Sequence, residues 1–273
     1  MYRLPFVALA ALLSGSALLA TTGTVTHAAV PRPTTRPTPA ITSAAGTLLA
    51  PQPGSKVSGA LALLGAASGG TTISLIVEGL QPGSRHTAVI RTGSCTQGAS
   101  GVATLTLPPL VADSVGDAAA TVLARSLTPL PASGLYVTAQ QHGVGSPVLA
   151  CGNIHRPTLT VTGTSVMGSA VRFTALMTEP APVLARGGTT TVQGTEVIEV
   201  ATGLRPGTAN PTHIHAAPCG VVAPVVYPLG DLVADGQGRA IVGAGITDLV
   251  PTTGLSIHVH NTLFAMTACG TIG

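Results

Sequence analysis

The chain has 273 residues, room for one or two domains, and a formal charge of +3 carried by scattered arginines and the single lysine Lys56. No basic run is present, which excludes nucleic acid as an expected partner, and 45% hydrophobic residues exclude a disordered chain. Aromatics are only 2% and charged residues 8%, whereas Gly (34) and Pro (22) abound, a composition suited to many short strands of small aliphatics joined by tight turns.

From the N-terminus, Arg3, the apolar stretch Leu4 to Ala20 and the small residues of Thr26-His27-Ala28-Ala29 read as an export signal over residues 1–29. The apolar stretch is interrupted by Ser14, Gly15 and Ser16 and is short for a bilayer, so no stable membrane span is expected. A secreted, extracytoplasmic location follows. Residues 30–45 are rich in Pro and Thr and read as an extended linker.

Past the linker the chain repeats itself. Gly79-Leu80-Gln81-Pro82-Gly83 is answered by Gly203-Leu204-Arg205-Pro206-Gly207, and Leu110-Val111-Ala112-Asp113 by Leu232-Val233-Ala234-Asp235. Gly134-Leu135-Tyr136-Val137 is answered by Gly254-Leu255-Ser256-Ile257, and Ala150-Cys151-Gly152-Asn153-Ile154 by Ala268-Cys269-Gly270-Thr271-Ile272. Landmarks in one order, more than a hundred residues apart, mark a tandem duplication of a domain-sized unit, 46–156 and 157–273. Within each copy, runs of strand length alternate with Gly/Pro turns, and none shows a capped helical period. Runs such as Thr72–Val77, His86–Ile90, Ala170–Leu176, Thr189–Val200 and Val221–Tyr227 predict an all-β sandwich or barrel.

Four cysteines in an exported chain are expected to be oxidised. Sequence alone permits three pairings; the duplication favours one bridge per copy, Cys95 with Cys151 and Cys219 with Cys269.

The densest chemistry lies in the second copy. Thr212-His213-Ile214-His215 and Ile257-His258-Val259-His260 each place two imidazoles at alternate positions, on one face of an extended chain. Ile214, Ile257 and Val259 then face the core. Imidazole is a usual ligand for copper and zinc, so His213, His215, His258 and His260 are the candidate metal ligands. His86, His142 and His155 stand singly and are expected at the surface. No paired carboxylates, nucleophile elbow or phosphate loop accompanies them.

Taken together, these motifs resemble the Cu/Zn superoxide dismutase family and its non-enzymatic relatives such as CHRD domains. The ending Ala268-Cys269-Gly270-Thr271-Ile272-Gly273 is similar to the closing motif of the dismutases, and Thr212-His213-Ile214-His215 after a Gly-Leu-x-Pro-Gly turn is similar to their copper motif. The resemblance implies two tandem Greek-key β-barrels, copper on His213, His215 and His260, and Asp231 at the place of the zinc aspartate. It also has gaps. Between Gly220 and Gly230 there is no histidine and no length for a zinc loop, and the position of the anion-guiding arginine is Met266. Copper is therefore the implied cofactor and zinc is not, with Asp231 read as a turn residue. His258 is the candidate for the missing bridging position. In the first copy the copper positions become Val89 and Arg91, faced by Thr138 and Gln140. The expected function is an exported, superoxide dismutase-like, copper-binding protein whose dismutation is not implied by its residues. The alternative is a non-enzymatic CHRD-like module that binds a protein or surface partner without metal.

Overall fold

The computed structural model describes residues 40–127, 129–131, 133–142, 146–184 and 191–273, which form one compact unit. The expected export signal and residues 30–39 of the expected linker lie outside the described residues. The first copy contains β1 (Ile41–Pro51), β2 (Ser58–Ala66), β3 (Thr71–Glu78), β4 (Arg85–Thr92), β5 (Ala103–Thr106), β6 (Leu110–Val111), β7 (Ala118–Ala124), β8 (Leu135–Gln140) and β9 (Val148–Ile154). The second contains β10 (Leu159–Ser165), β11 (Arg172–Leu184), β12 (Thr191–Thr202), β13 (Ala209–His215), β14 (Val225–Val233), β15 (Arg239–Ile246), β16 (Leu255–His260) and β17 (Met266–Ile272).

Both copies are antiparallel and share one topology. The first sheet runs β5-β4-β8-β9-β1-β2-β3-β7, with β6 beside β4, and the second runs β14-β13-β16-β17-β10-β11-β12-β15. The expected all-β fold of two tandem barrels is what forms. The duplication extends to single hydrogen bonds. The Leu80 amide donates to Gly116 and that of Leu204 to Gly238, while the amides of Gly83 and Gly207 donate to Ala112 and Ala234. Gly116 and Gly238 have φ of 95° and 72°, and a Cβ there would stand 2.4 and 2.3 Å from the Leu80 and Leu204 carbonyl oxygens. Only glycine serves at that crossing.

Some boundaries differ from the sequence expectation. β1 begins at Ile41, inside the predicted linker, because past Pro39 the chain has free amides and β-branched Ile41 and Thr42 with which to pair β2. β11 continues to Leu184 because a bulge absorbs Glu179 and Pro180, the latter lacking an amide proton, and pairing resumes at Ala181. β14 occupies Val225–Val233 rather than 221–227, since residues 216–224 are used by a loop.

Each barrel has its own aliphatic core. In the first, Leu61, Leu63, Ile73, Leu75, Ala88 and Ile90 point inward; in the second, Phe173, Met177, Val197, Ile214, Ile257 and Val259 do. A third cluster lies between them: Ala60 and Ala62 of β2 meet Leu176, Ile198, Val200 and Ile241 of β11, β12 and β15. Small residues let the sheets approach. A Cβ on Gly46 would stand 2.9 Å from Ile198 Cδ1, and one on Gly243 would stand 2.5 Å from Ala60 Cβ. At the edge of this interface His155 Nε2 lies 3.4 Å from Glu196 Oε1, and the hydrogen bond to Glu196 raises the His155 pKa against the opposing effect of burial.

Candidate metal centre

β13 runs between β14 and β16, with His213 opposite His258 and Ile214 opposite Ile257. The pleat does what the alternation predicts: Ile214, Ile257 and Val259 are fully buried in the second core, and the four imidazoles share the outer face. The ring centroids of His213 and His260 are 5.4 Å apart, those of His213 and His215 6.0 Å, and those of His215 and His260 5.9 Å.

Hydrogen bonds from the loops set the two outer rings. His215 Nδ1 is 2.9 Å from the Ala223 carbonyl oxygen, and His260 Nδ1 is 3.0 Å from that of Phe264. A carbonyl only accepts, so both Nδ1 atoms carry a proton, which leaves the two Nε2 atoms as the positions open to a ligand. Those Nε2 atoms and His213 Nδ1 are buried with no hydrogen-bond partner among the described residues. The three histidines bring their ligand atoms within 4.8 Å of one another. Three buried, unpaired nitrogens converging on one point are costly unless something accepts their lone pairs, and backbone carbonyls behind metal-ligating histidines are a recurring support. His213, His215 and His260 thus fit a metal ion.

The loops are built to present those carbonyls. The Ala216 amide donates to Pro224, Ser256 Oγ donates to Ala217 at 2.7 Å, and Cys219 is bonded to Cys269 of β17. These tie down the 216–224 loop. At the other side Asn261 Oδ1 accepts the amides of Leu263 and Ala265, and Phe264 takes φ of 59°, the lone positive value on a non-glycine among the described residues. A backbone held in that sparsely populated region turns its carbonyl to His260.

His258 stands apart from the cluster. It is 7% exposed, its Nε2 is 2.9 Å from Ser256 Oγ, and its ring stacks on His215 at 4.1 Å. Burial first, and then the neighbouring His215, His260 and His213, push its pKa down to about 4. Burial likewise lowers that of His213, aided by His260 and His215. Both rings are therefore neutral at pH 7. His258 also groups with Cys219 and Cys269, but those sulfurs are joined in the disulfide. Asp231 lies in β14 rather than in a turn, exposed and opposite Pro211.

The first copy is solid at the same place. Val89 faces Thr138 and Arg91 faces Tyr136, all buried, with Arg91 Nη1 donating to the Gly101 carbonyl at 2.7 Å. Both bridges form as the duplication favours, Cys95–Cys151 and Cys219–Cys269. Two lone histidines are not at the open surface as expected. His86 is buried in β4, between Ser84 Oγ and the Gln140 carbonyl, because its alternate position turns it inward, and half-buried His155 faces Glu196. His142 is exposed.

Sequence reasoning missed the Ala223 and Phe264 carbonyls, for which residue type gives no signal. It also missed Glu199, whose place among Val197, Ile198 and Val200 was a readable anomaly: a carboxyl with inward parity in an apolar strand. No helix among the described residues is long and apolar enough to cross a membrane. No family model and no curated protein matches the chain.

Proposed function

We propose that this is an exported, superoxide dismutase-like protein that binds copper through His213, His215 and His260. The observation carrying the reading is the convergence of three unpaired buried nitrogens, two of them with their tautomers set by loop carbonyls. Imidazole donors suit both copper and zinc; copper is chosen because these positions match the copper motif, and no second set of histidines accompanies them. Bound copper would supply one-electron chemistry. The chain's own contribution is to bring three imidazoles together, two of them in rotations set by the Ala223 and Phe264 carbonyls, beside the buried ring of His258.

Superoxide dismutation is not part of the assignment, since the place of a guiding cation is Met266, which lines a roughly 380 Å³ groove over the second disulfide. A second reading, a binding module without metal, is favoured by one observation. Val222, Leu263 and Phe264, on the two loops that flank the histidines, are more than 70% exposed.

The test is metal content of the mature protein after Cu(II) loading and dialysis, beside a His213→Ala/His260→Ala variant. One copper per chain, lost in the variant, is expected. Absence of retained copper, or equal retention by the variant, overturns the metal reading.

A further inference from the structure

The least expected group in the second barrel is Glu199. It belongs to β12, is 0% exposed, and points into the aliphatic core between the positions of Val197 and Ala201. Its Oε2 is 2.7 Å from Thr212 Oγ1, and the same hydroxyl is 3.0 Å from the carbonyl oxygen of His258. Thr212, also 0% exposed, directly precedes His213 and pairs with Val259, the residue between His258 and His260. The contact therefore spans the barrel interior and ends at the seam of the two histidine-bearing strands.

The first copy shows that the fold does not need this pair. Glu199 sits in register with Ala175 and Val242, and its counterpart Leu75 with Leu61 and Ala120. Thr212 pairs with Val259, and its counterpart Ala88 with Ala139. So Leu75 and Ala88, both fully buried, become Glu199 and Thr212 in the copy that carries the histidines. Burying a carboxyl in an aliphatic core is unfavourable, and the sister barrel forms without it. Both members of the contact changed together.

Proton bookkeeping sets the direction of the contact. Thr212 has one hydroxyl proton, and the His258 carbonyl can only accept it. Both bonds form when Glu199 is the neutral acid, donating to Thr212 Oγ1, which in turn donates to His258. Full burial, which pushes the Glu199 pKa up to about 8 against the opposing effect of its contact with Thr212, is consistent with that state at pH 7.

We propose that Glu199 and Thr212 are positioning residues of the histidine centre: a neutral donor relay from the opposite wall of the barrel that fixes the backbone of β13 and β16 where the imidazoles emerge. The relay touches neither a ligand nitrogen nor the outer face. It acts through the register of His213 against His258 and through the carbonyl of His258. The proposal rests on the copper reading for its purpose but not for its geometry.

The test uses full-length mature protein with Glu199→Gln, which keeps a donor, Thr212→Val, which keeps the shape and removes the hydroxyl, and Glu199→Leu/Thr212→Ala, which restores the first copy's pair. Imidazole ¹⁵N spectra are recorded on metal-free protein, and Cu(II) affinity and its electron paramagnetic resonance signature on loaded protein. Glu199→Gln is expected to match wild type in both. The other two variants are expected to fold, to shift the ring resonances of His213 and His258, and to lose about 10- to 100-fold in Cu(II) affinity with an altered signature, the range seen when supports behind metal ligands are removed. Unchanged ring spectra and affinity in Thr212→Val and the double variant overturn the proposal, as does a Glu199→Gln variant as impaired as they are. If wild type retains no copper, the copper reading falls, and the metal-free ring spectra alone decide whether the relay positions the histidines.

Discussion

The two barrels of this chain are the same device built twice, down to the amide of Leu80 on Gly116 and that of Leu204 on Gly238, yet they treat one sheet face oppositely. In the first, Val89, Thr138, Gln140 and Arg91 fill the face and are buried. In the second, three half-buried histidines leave their nitrogens without partners. A shared scaffold thus separates what the fold requires from what has been added. The disulfide and the glycine crossings occur in both and belong to the fold. The carbonyls of Ala223 and Phe264, the stacked His258 and the Glu199–Thr212 contact occur in the second and belong to the site.

Removing each disulfide should test that division most forcefully. The bridges close loops of 56 and 50 residues, worth about 4 kcal/mol each in the chain-entropy model. Cys95→Ala/Cys151→Ala and Cys219→Ala/Cys269→Ala should therefore lose similar stability in chemical denaturation. Only the second pair should also weaken metal retention, because Cys219 anchors the loop that holds His215. Equal metal retention by both would break the comparison.

The face the barrels share comes next. Leu176→Ala empties a site in the cluster between them and should cost about 2–5 kcal/mol, while Gly243→Ala, which sets a Cβ 2.5 Å from Ala60 Cβ, should cost about 1–3 kcal/mol through overpacking. Thermal unfolding would check both. Two separate transitions in either variant would show the barrels uncoupling.

Titration distinguishes the copies more finely. Glu199 has a folded pKa of about 8 against 4.5 for an ordinary glutamate, so its contribution is fully present below pH 4.5 and is lost as pH rises through 8. The slope approaches about 1.4 kcal/mol per pH unit where only the unfolded state is ionised. His258 acts in the opposite sense: its pKa falls from 6.5 to about 4, so stability present above 6.5 is lost as pH falls toward 4. Melting temperature against pH should flatten on the alkaline side in Glu199→Gln and on the acid side in His258→Gln. A profile identical to wild type would refute either assignment. The smallest effect is expected for His155→Gln at the partly exposed pair with Glu196, about 1 kcal/mol or less. It should appear at acid pH and fade as pH rises through the raised pKa of His155.

Much of this was legible in the residues. Alternation placed Ile214, Ile257 and Val259 inward and the histidines outward, since a strand offers no other choice once its core face is known, and the repeated landmarks paired the cysteines. The supports of the site were not legible, because Ala223 and Phe264 act through backbone oxygens that every residue owns. The face between the barrels was hidden for a different reason. Ser58-Gly59-Ala60-Leu61-Ala62-Leu63-Leu64 is apolar on both sides. Such a run marks a strand covered twice, but nothing in it names the second cover as the other copy.

That cover has a consequence for how the two barrels stay together. The connection between the barrels is short, from Ile154 at the end of β9 to Leu159 at the start of β10. Two halves of an ordinary dimer would separate on dilution and expose Leu176, Ile198 and Ile241 to whatever is nearby. Here the partner travels on the same chain, so its local concentration is set by the tether rather than by the surroundings. The first barrel, having no histidine cluster, serves as a permanent companion that no dilution removes.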